Sequence, residues 1–342
     1  MGQPPCGQDP RVTVLELLAA FVLVVGGAIG FTNAVEWLGK RMDLGQGAVG
    51  ALLAAVGTAL PESVIPVVAL LSGGGKGKEQ IAIGSIIGAP FLLGTLAMLL
   101  IAIASHAYAG RREQGSAIDA HLPSTRRDLR YVLTLLPIGI VVGVIGAPMA
   151  LKIVVAAVLV VAYGVYVRAT IRDGGEIEDD DALDALYFDR GADDNPRTGR
   201  VILQLLISLA AIIAGAELFV SVIETIAKSL GIQTLVLSLV LAPLATELPE
   251  KINSVLWVRQ GKDTLALGNV SGAMVFQSTI PMAFGILATG WHLDRFAVAA
   301  AAAGWAGASL ALYAVGRKRF GAVPAIAWAA LFAAFPAFAL TG

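Results

Sequence analysis

Gly57-Thr58-Ala59-Leu60-Pro61-Glu62 lies in one long apolar run, and Ala245-Thr246-Glu247-Leu248-Pro249-Glu250 lies in another, 188 residues later. A carboxylate within a membrane-spanning segment is costly to desolvate, and where one occurs it marks a functional site. Here an acidic residue follows a helix-breaking proline at the same place in two halves of the chain. Paired interruptions of this kind point to an ion site between structural repeats.

Composition supports a membrane protein. The 342 residues are 57% hydrophobic and 14% charged, with a mean hydropathy of +0.78. Soluble domains carry roughly 25% charged residues. The net charge of −1 gives no basic footprint for nucleic acid. The single cysteine, Cys6, excludes an internal disulfide and a cysteine-based metal cluster. His106, His121 and His292 stand at segment ends, too scattered for a histidine-ligated zinc site. No resident cofactor is expected.

A helix crosses the bilayer with about 20 mostly apolar residues. Ten such spans are read at 12–38, 46–72, 79–105, 129–147, 149–170, 200–227, 231–258, 263–289, 292–316 and 320–341. The run from Val12 to Leu38 is too long for a signal-peptide core and is read as a retained span. The expected organisation is a first membrane repeat (1–170), an acidic linker (171–199) and a second membrane repeat (200–342). The linker stretch Glu176, Glu178, Asp179, Asp180 and Asp181 reads as a solvated loop without EF-hand spacing. Of the 24 lysines and arginines, seventeen fall on the side of the linker, six on the opposite side and Lys251 within a span. The positive-inside rule then puts the linker in the cytoplasm and both termini outside, most simply at the plasma membrane.

The repeat extends beyond the motif. Shifting 27–62 by 188 residues onto 215–250 gives ten identities in 36 positions, among them Gly27/Gly215, Glu36/Glu224, Lys40/Lys228, Thr58/Thr246, Pro61/Pro249 and Glu62/Glu250. With five spans per half, an odd number, the second half must insert upside down. The fold class expected is therefore an all-α polytopic membrane protein of about ten transmembrane helices, built as two inverted five-helix repeats. After the motif the offset becomes 184, and Gly84-Ser85-Ile86-Ile87-Gly88-Ala89 aligns with Gly268-Asn269-Val270-Ser271-Gly272-Ala273.

Thr58 and Glu62 are four residues apart, as are Thr246 and Glu250, so each pair shares a helix face. Pro61 and Pro249 donate no backbone hydrogen bond and crowd the carbonyls of Gly57 and Ala245. Carbonyl, hydroxyl and carboxylate form an all-oxygen corner, and two facing corners suit Ca2+ better than Mg2+ with its strict octahedron. Simpler readings stand beside this one. Each Pro-Glu could be a kink with a protonated acid, and the threonines could bond back to carbonyls. The glycines at 84, 88, 268 and 272 read as close-packing faces, with Ser85 and Asn269 on or beside them. Glu36/Lys40 and Glu224/Lys228 read as i,i+4 ion pairs. Glu217 and Asn33 either line the path or cap a kink, and Lys251 either reaches headgroups or pairs with an acid.

At these motifs the chain resembles the cation/Ca2+ antiporter superfamily, whose best-known branch is the sodium/calcium exchangers. That family carries G-T-S-L-P-E in its second span, a matching motif in its seventh, and a G-N-x-x-G-S/A-N-type helix after each. The resemblance implies that Glu62 and Glu250 are the central Ca2+-binding carboxylates, with Thr58 and Thr246 beside them. This chain departs from the family pattern. The serine after the threonine is Ala59 in one repeat and Glu247 in the other, and the serine after the glycine is Ala89 and Ala273. The next asparagine is Pro90 and Met274, and the polar residue a turn on is Leu93 and Gln277. Several of these positions hold sodium in sodium-coupled members. Desolvation favours the neutral form of a carboxylic acid, so Glu247 is an expected proton carrier. The function expected is antiport of Ca2+, or of Mn2+ or Mg2+ in its place, against H+ or Na+. The partners are the lipid bilayer and the transported cations. The rivals are a cation channel and a non-transporting membrane sensor or scaffold. An intramembrane protease is disfavoured, because paired GxGD aspartates and H-E-x-x-H are missing from the sequence.

Overall fold

The computed structural model describes residues 10–41, 62–72, 75–172, 185–189, 191 and 196–341; the side chains at 10, 11, 39–41, 171, 249 and 250 fall outside that description. The described residues are almost wholly helical and contain no strand, only a single antiparallel bridge between Ala117 and Arg319.

The first half runs α1 (Pro10–Arg41), α2 (Glu62–Leu71), α3 (Lys76–Leu92), α4 (Met98–Ala107), α5 (Leu122–Val144) and α6 (Met149–Arg172). The second runs α7 (Thr198–Leu230), α8 (Thr234–Thr246), α9 (Leu248–Arg259), α10 (Asp263–Gln277), α11 (Ile280–Ala288), α12 (Arg295–Gly316) and α13 (Ala322–Thr341). Each of the ten expected spans contains helix where it is described, with non-helical residues at several ends and breaks. Seven are long and apolar enough to cross a membrane, and the chain is an integral membrane protein. The fourth begins earlier than read, at Leu122 rather than 129. Pro123 opens α5 in the first turn, where its missing N–H costs nothing, and carries a polar segment into the helix.

Among the described residues, three spans are interrupted. Glu247 separates α8 from α9 with φ −97° and ψ 6°. Pro249 follows in the first turn of α9 and has no N–H to return to the Ala245 carbonyl. In the third span, Pro90 precedes a π-helical turn over Leu93–Ala97 that joins α3 to α4. In the eighth, α10 stops at Gln277 and α11 resumes at Ile280, ahead of Pro281. Residues 93 and 277 are related by the 184-residue offset, so both repeats break their third span at the same place. A proline removes one backbone bond and displaces a turn, and π-turns favour functional positions.

Two large hydrophobic clusters, with two smaller ones, hold the bundle among the described residues. The larger lies among α3–α6 and α8–α13. The second joins α1, α2, α3, α7 and α8 through Ala20, Ile65, Val68, Ile81, Phe219 and Ala245, among others. The long helices α1 and α7 pack along each other, and α3 packs on α8. A methyl group on Gly27 would lie 2.8 Å from Ile212 Cγ1, and one on Gly215 would lie 2.9 Å from Val24 Cγ2. Adding 188 to 27 and 24 gives 215 and 212, so the contact is its own reciprocal. That self-complementarity is the mark of a two-fold axis, here relating the two inverted repeats within one chain. Gly84 and Gly88 meet Ser238, Leu239 and Pro243 of α8 at similarly close range.

A loop after α4 stitches helix ends together. Arg112 Nη2 donates to both oxygens of Asp263 at 2.6 Å, and the Asp119 N–H donates to the same carboxylate at 2.7 Å. Both side chains of the ion pair are fully buried.

Candidate cation site

The motif segments converge. Ile65, three residues beyond Glu62, and Ala245 belong to one packed cluster. Glu62 opens the described part of the second span and is 6% exposed. A carboxylate that buried needs cationic or hydrogen-bonding company. Thr246 and Ala245 are buried in the last turn of α8. Glu250 lies in the first turn of α9, its backbone helical and its side chain outside the described atoms. Gly57, Thr58 and Pro61 lie outside the described residues, as does the acidic stretch of the linker.

The threonine hydroxyl does what the simpler reading allowed. Thr246 Oγ1 donates to the Ala242 carbonyl at 3.3 Å. Ser85 Oγ likewise donates to the Ile81 carbonyl at 2.8 Å. Such back-bonds occupy the hydroxyl hydrogen and leave the oxygen lone pairs as acceptors.

Glu247 is fully buried at the helix break, and its Oε2 accepts from Lys251 Nζ at 2.5 Å. Lys251, 3% exposed, thus pairs with an acid and does not reach the headgroups. This partnership gives Glu247 a fixed countercharge that its expected role as a proton carrier had not included. The signal was present in the sequence as an i,i+4 spacing of opposite charges.

The remaining candidates separate by environment. Gln277 sits at the end of α10 where the eighth span breaks, and its Nε2 and the neighbouring Ser278 Oγ have no hydrogen-bond partner among the described residues. Asn269 Nδ2 donates to Ser254 Oγ at 3.2 Å, linking α10 to α9. Glu217, on α7, is exposed and lines a cavity of about 420 Å3 with Ser63, Val64, Val67, Val68, Leu71, Ser72 and Ile213. Asn33 Oδ1 accepts from Gln204 Nε2 at 2.8 Å and from the Tyr187 N–H at 3.4 Å, which ties α1 to α7 and to the described piece of the linker. No ion pair forms between Glu224 and Lys228 among the described residues; a methyl group built on Gly77 would meet the Glu224 carboxylate at 2.5 Å.

Sequence reasoning missed a second polar cluster. Ser271 Oγ of α10 donates to Asp128 Oδ2 of α5 at 2.8 Å, and Arg127 lies 3.6 Å from the other oxygen. The partners are 143 residues apart, and no spacing rule connects them.

Comparison with known proteins agrees with this architecture. A family profile described as sodium/calcium exchanger protein matches residues 12–172 and 200–341. An uncharacterized membrane protein of Methanocaldococcus jannaschii is 26% identical over 259 residues, covering 75% of this chain and 76% of the relative. The crystal structure of an H+/Ca2+ exchanger named CAX superposes with a TM-score of 0.72 at 19% identity, over 97% of this chain and 82% of that one. A structure of the sodium-calcium exchanger NCX_Mj superposes with a TM-score of 0.61 at 24% identity, over 96% of this chain and 98% of that one. Both structural likenesses concern the all-helical fold.

Proposed function

The chain belongs to the sodium/calcium exchanger protein family, and on that premise we propose that it is a secondary active antiporter exchanging Ca2+, or a related divalent cation, for H+ or Na+ by alternating access. The observation that carries this reading is the duplicated acidic motif on two inverted repeats, with Glu62 buried beside the cluster that holds Ala245. In this reading Glu62 and Glu250 are the central ligands, helped by Thr58, Thr246 and the carbonyls of Gly57 and Ala245. Hard oxygens with two negative charges suit Ca2+, with Mn2+ and Mg2+ as competitors for the same corner.

The cycle follows from desolvation. A site holding Ca2+, or two protons, is close to neutral and can pass between outward- and inward-facing states. The empty, doubly charged site cannot, because leaving a buried charge uncompensated costs several kcal/mol. The proton is the favoured counter-ion, since this chain carries Ala59, Ala89, Ala273, Pro90 and Met274 at positions several of which, by the family resemblance, hold sodium in sodium-coupled members. Glu247, the expected proton carrier, is held in an ion pair by Lys251 and stands beside the exchangeable carboxylates. Gln277 and Glu217 are the favoured path residues, while Ser85, Asn269 and Asn33 already hold structural bonds. The plasma membrane, with both termini outside and the 171–199 linker cytoplasmic, is the topology proposed.

The test is ⁴⁵Ca2+ flux into proteoliposomes under a pH gradient or, separately, a Na+ gradient, with Glu62→Gln as the inactive control. Flux driven by the pH gradient and lost in Glu62→Gln supports the reading. Flux driven by sodium alone reassigns the counter-ion, and wild-type flux equal to that of Glu62→Gln under both gradients overturns it.

A further inference from the structure

The two-carboxylate cycle leaves the buried ion pair of the seventh span unused. Glu247 and Lys251 face each other at 2.5 Å inside the seventh span, both almost wholly removed from solvent. Among the described residues the Lys251 ammonium donates to Glu247 alone, and Glu247 Oε1 is buried with no hydrogen-bond partner. The corresponding residues of the first repeat, 188 positions earlier, are Ala59 and Ser63. A charge pair has therefore been added to one repeat only, next to the motif.

Charge arithmetic gives the pair a meaning. The motifs carry three carboxylates, Glu62, Glu247 and Glu250, and one ammonium, Lys251. The balance is two negative charges, which one divalent cation neutralises. Without the ammonium the balance would be three, and a divalent cation would leave one buried charge uncompensated. An ammonium has the charge of a small alkali ion but cannot diffuse away, so its effective concentration at Glu247 is set by its own tether.

We propose that Lys251 is a tethered cation: it occupies, beside Glu247, a place that a small monovalent cation would otherwise take, and so removes that carboxylate from ion exchange. The inference rests on reading Glu62 and Glu250 as the exchangeable ligands. It predicts that removing the ammonium uncovers a latent monovalent-cation site, with Na+ or Li+ as its ligand.

The experiment uses the full-length protein with Lys251→Ser, which installs the residue found at the equivalent place in the first repeat, and Lys251→Gln as a second variant. Melting temperature in detergent is measured in NaCl, LiCl and N-methylglucamine chloride at equal ionic strength, and ⁴⁵Ca2+ exchange is measured in proteoliposomes in the same salts. Sodium at about ten times its dissociation constant raises the folded-to-unfolded ratio about ten-fold. The variants should therefore gain a Na+- or Li+-dependent rise in melting temperature that exceeds any shown by wild type. Variants that respond to the salts as wild type does overturn the inference. So does failure to recover either variant folded even in Na+, because the ammonium then has a task that a bound ion cannot perform. The exchange assay separates the two readings. A gained sodium shift without wild-type ⁴⁵Ca2+ exchange keeps the tethered cation and discards Ca2+ antiport. Wild-type exchange without a gained shift does the reverse.

Discussion

Gly26 and Gly27 are neighbours in α1, and replacing each by alanine should move stability in opposite directions. A Cβ on Gly26 would meet nothing within 4 Å, whereas one on Gly27 would lie 2.8 Å from Ile212 Cγ1, 2.9 Å from the Ser208 carbonyl oxygen and 3.0 Å from the Ile212 nitrogen. Both substitutions gain the same helix-propensity benefit, about 0.5–1 kcal/mol. They differ only in packing, and inserting a methyl group into a closed interface costs about 1–3 kcal/mol. Two of the three atoms at Gly27 belong to the α7 backbone and cannot swing aside, which puts the cost in the upper part of that range. Gly26→Ala should thus stabilise slightly and Gly27→Ala should destabilise, a gap of roughly 2 kcal/mol or more. Gly215→Ala, the reciprocal change, should behave as Gly27→Ala does. The double variant should cost less than the sum by at least about 0.5 kcal/mol, since the first methyl has already parted the helices. Equilibrium unfolding in mixed micelles of the full-length protein measures all four. Equal effects at Gly26 and Gly27, or strict additivity of Gly27 with Gly215, would refute a crossing at that point.

Other outcomes follow from single contacts. Arg112→Met should destabilise the protein by about 3–5 kcal/mol, because it leaves the Asp263 carboxylate buried without its ion-pair partner; the double variant with Asp263→Leu should recover much of that loss in the same unfolding assay. Asp294 caps α12, accepting from the Phe296 and Ala297 N–H groups at 2.9 Å, and Asp294→Ala should cost about 1 kcal/mol of stability with no change in the ion dependence of flux. Gly307→Ala would place a methyl 2.0 Å from the Gly94 carbonyl oxygen; it should destabilise by at least as much as Gly27→Ala, since backbone meets backbone there.

Much of the architecture was legible because a bilayer leaves so few choices. Long apolar runs must become helices, and an odd number of them per half forces the inversion. The break at Glu247 was also readable, since Pro249 follows two residues later. The breaks in the third and eighth spans were signalled only by Pro90 and Pro281, and a proline states that a turn is disturbed without saying whether the helix bulges or stops. The structure shows a π-turn in one repeat and a gap in the other. Side-chain partnerships split by range. Glu247 with Lys251 lay within a local spacing rule, while Arg112 with Asp263, 151 residues apart, depends on how loops fold over helix ends. The proposed cation corner was read from residues paired between the motifs, of which Glu62, Ala245 and Thr246 are buried in the structure.

The two repeats are close to interchangeable along their crossing and unlike at their acidic centres. For a transporter that alternates by swapping the roles of its inverted halves, perfect duplication would make the outward- and inward-facing forms degenerate, each filling half the population. Ser63 against Lys251, Ala59 against Glu247 and Leu93 against Gln277 lift that degeneracy. Each 1.4 kcal/mol of difference between the two forms tilts their ratio about ten-fold. For an alternating-access cycle, unmatched side chains of this kind would bias the loaded form toward one side of the membrane.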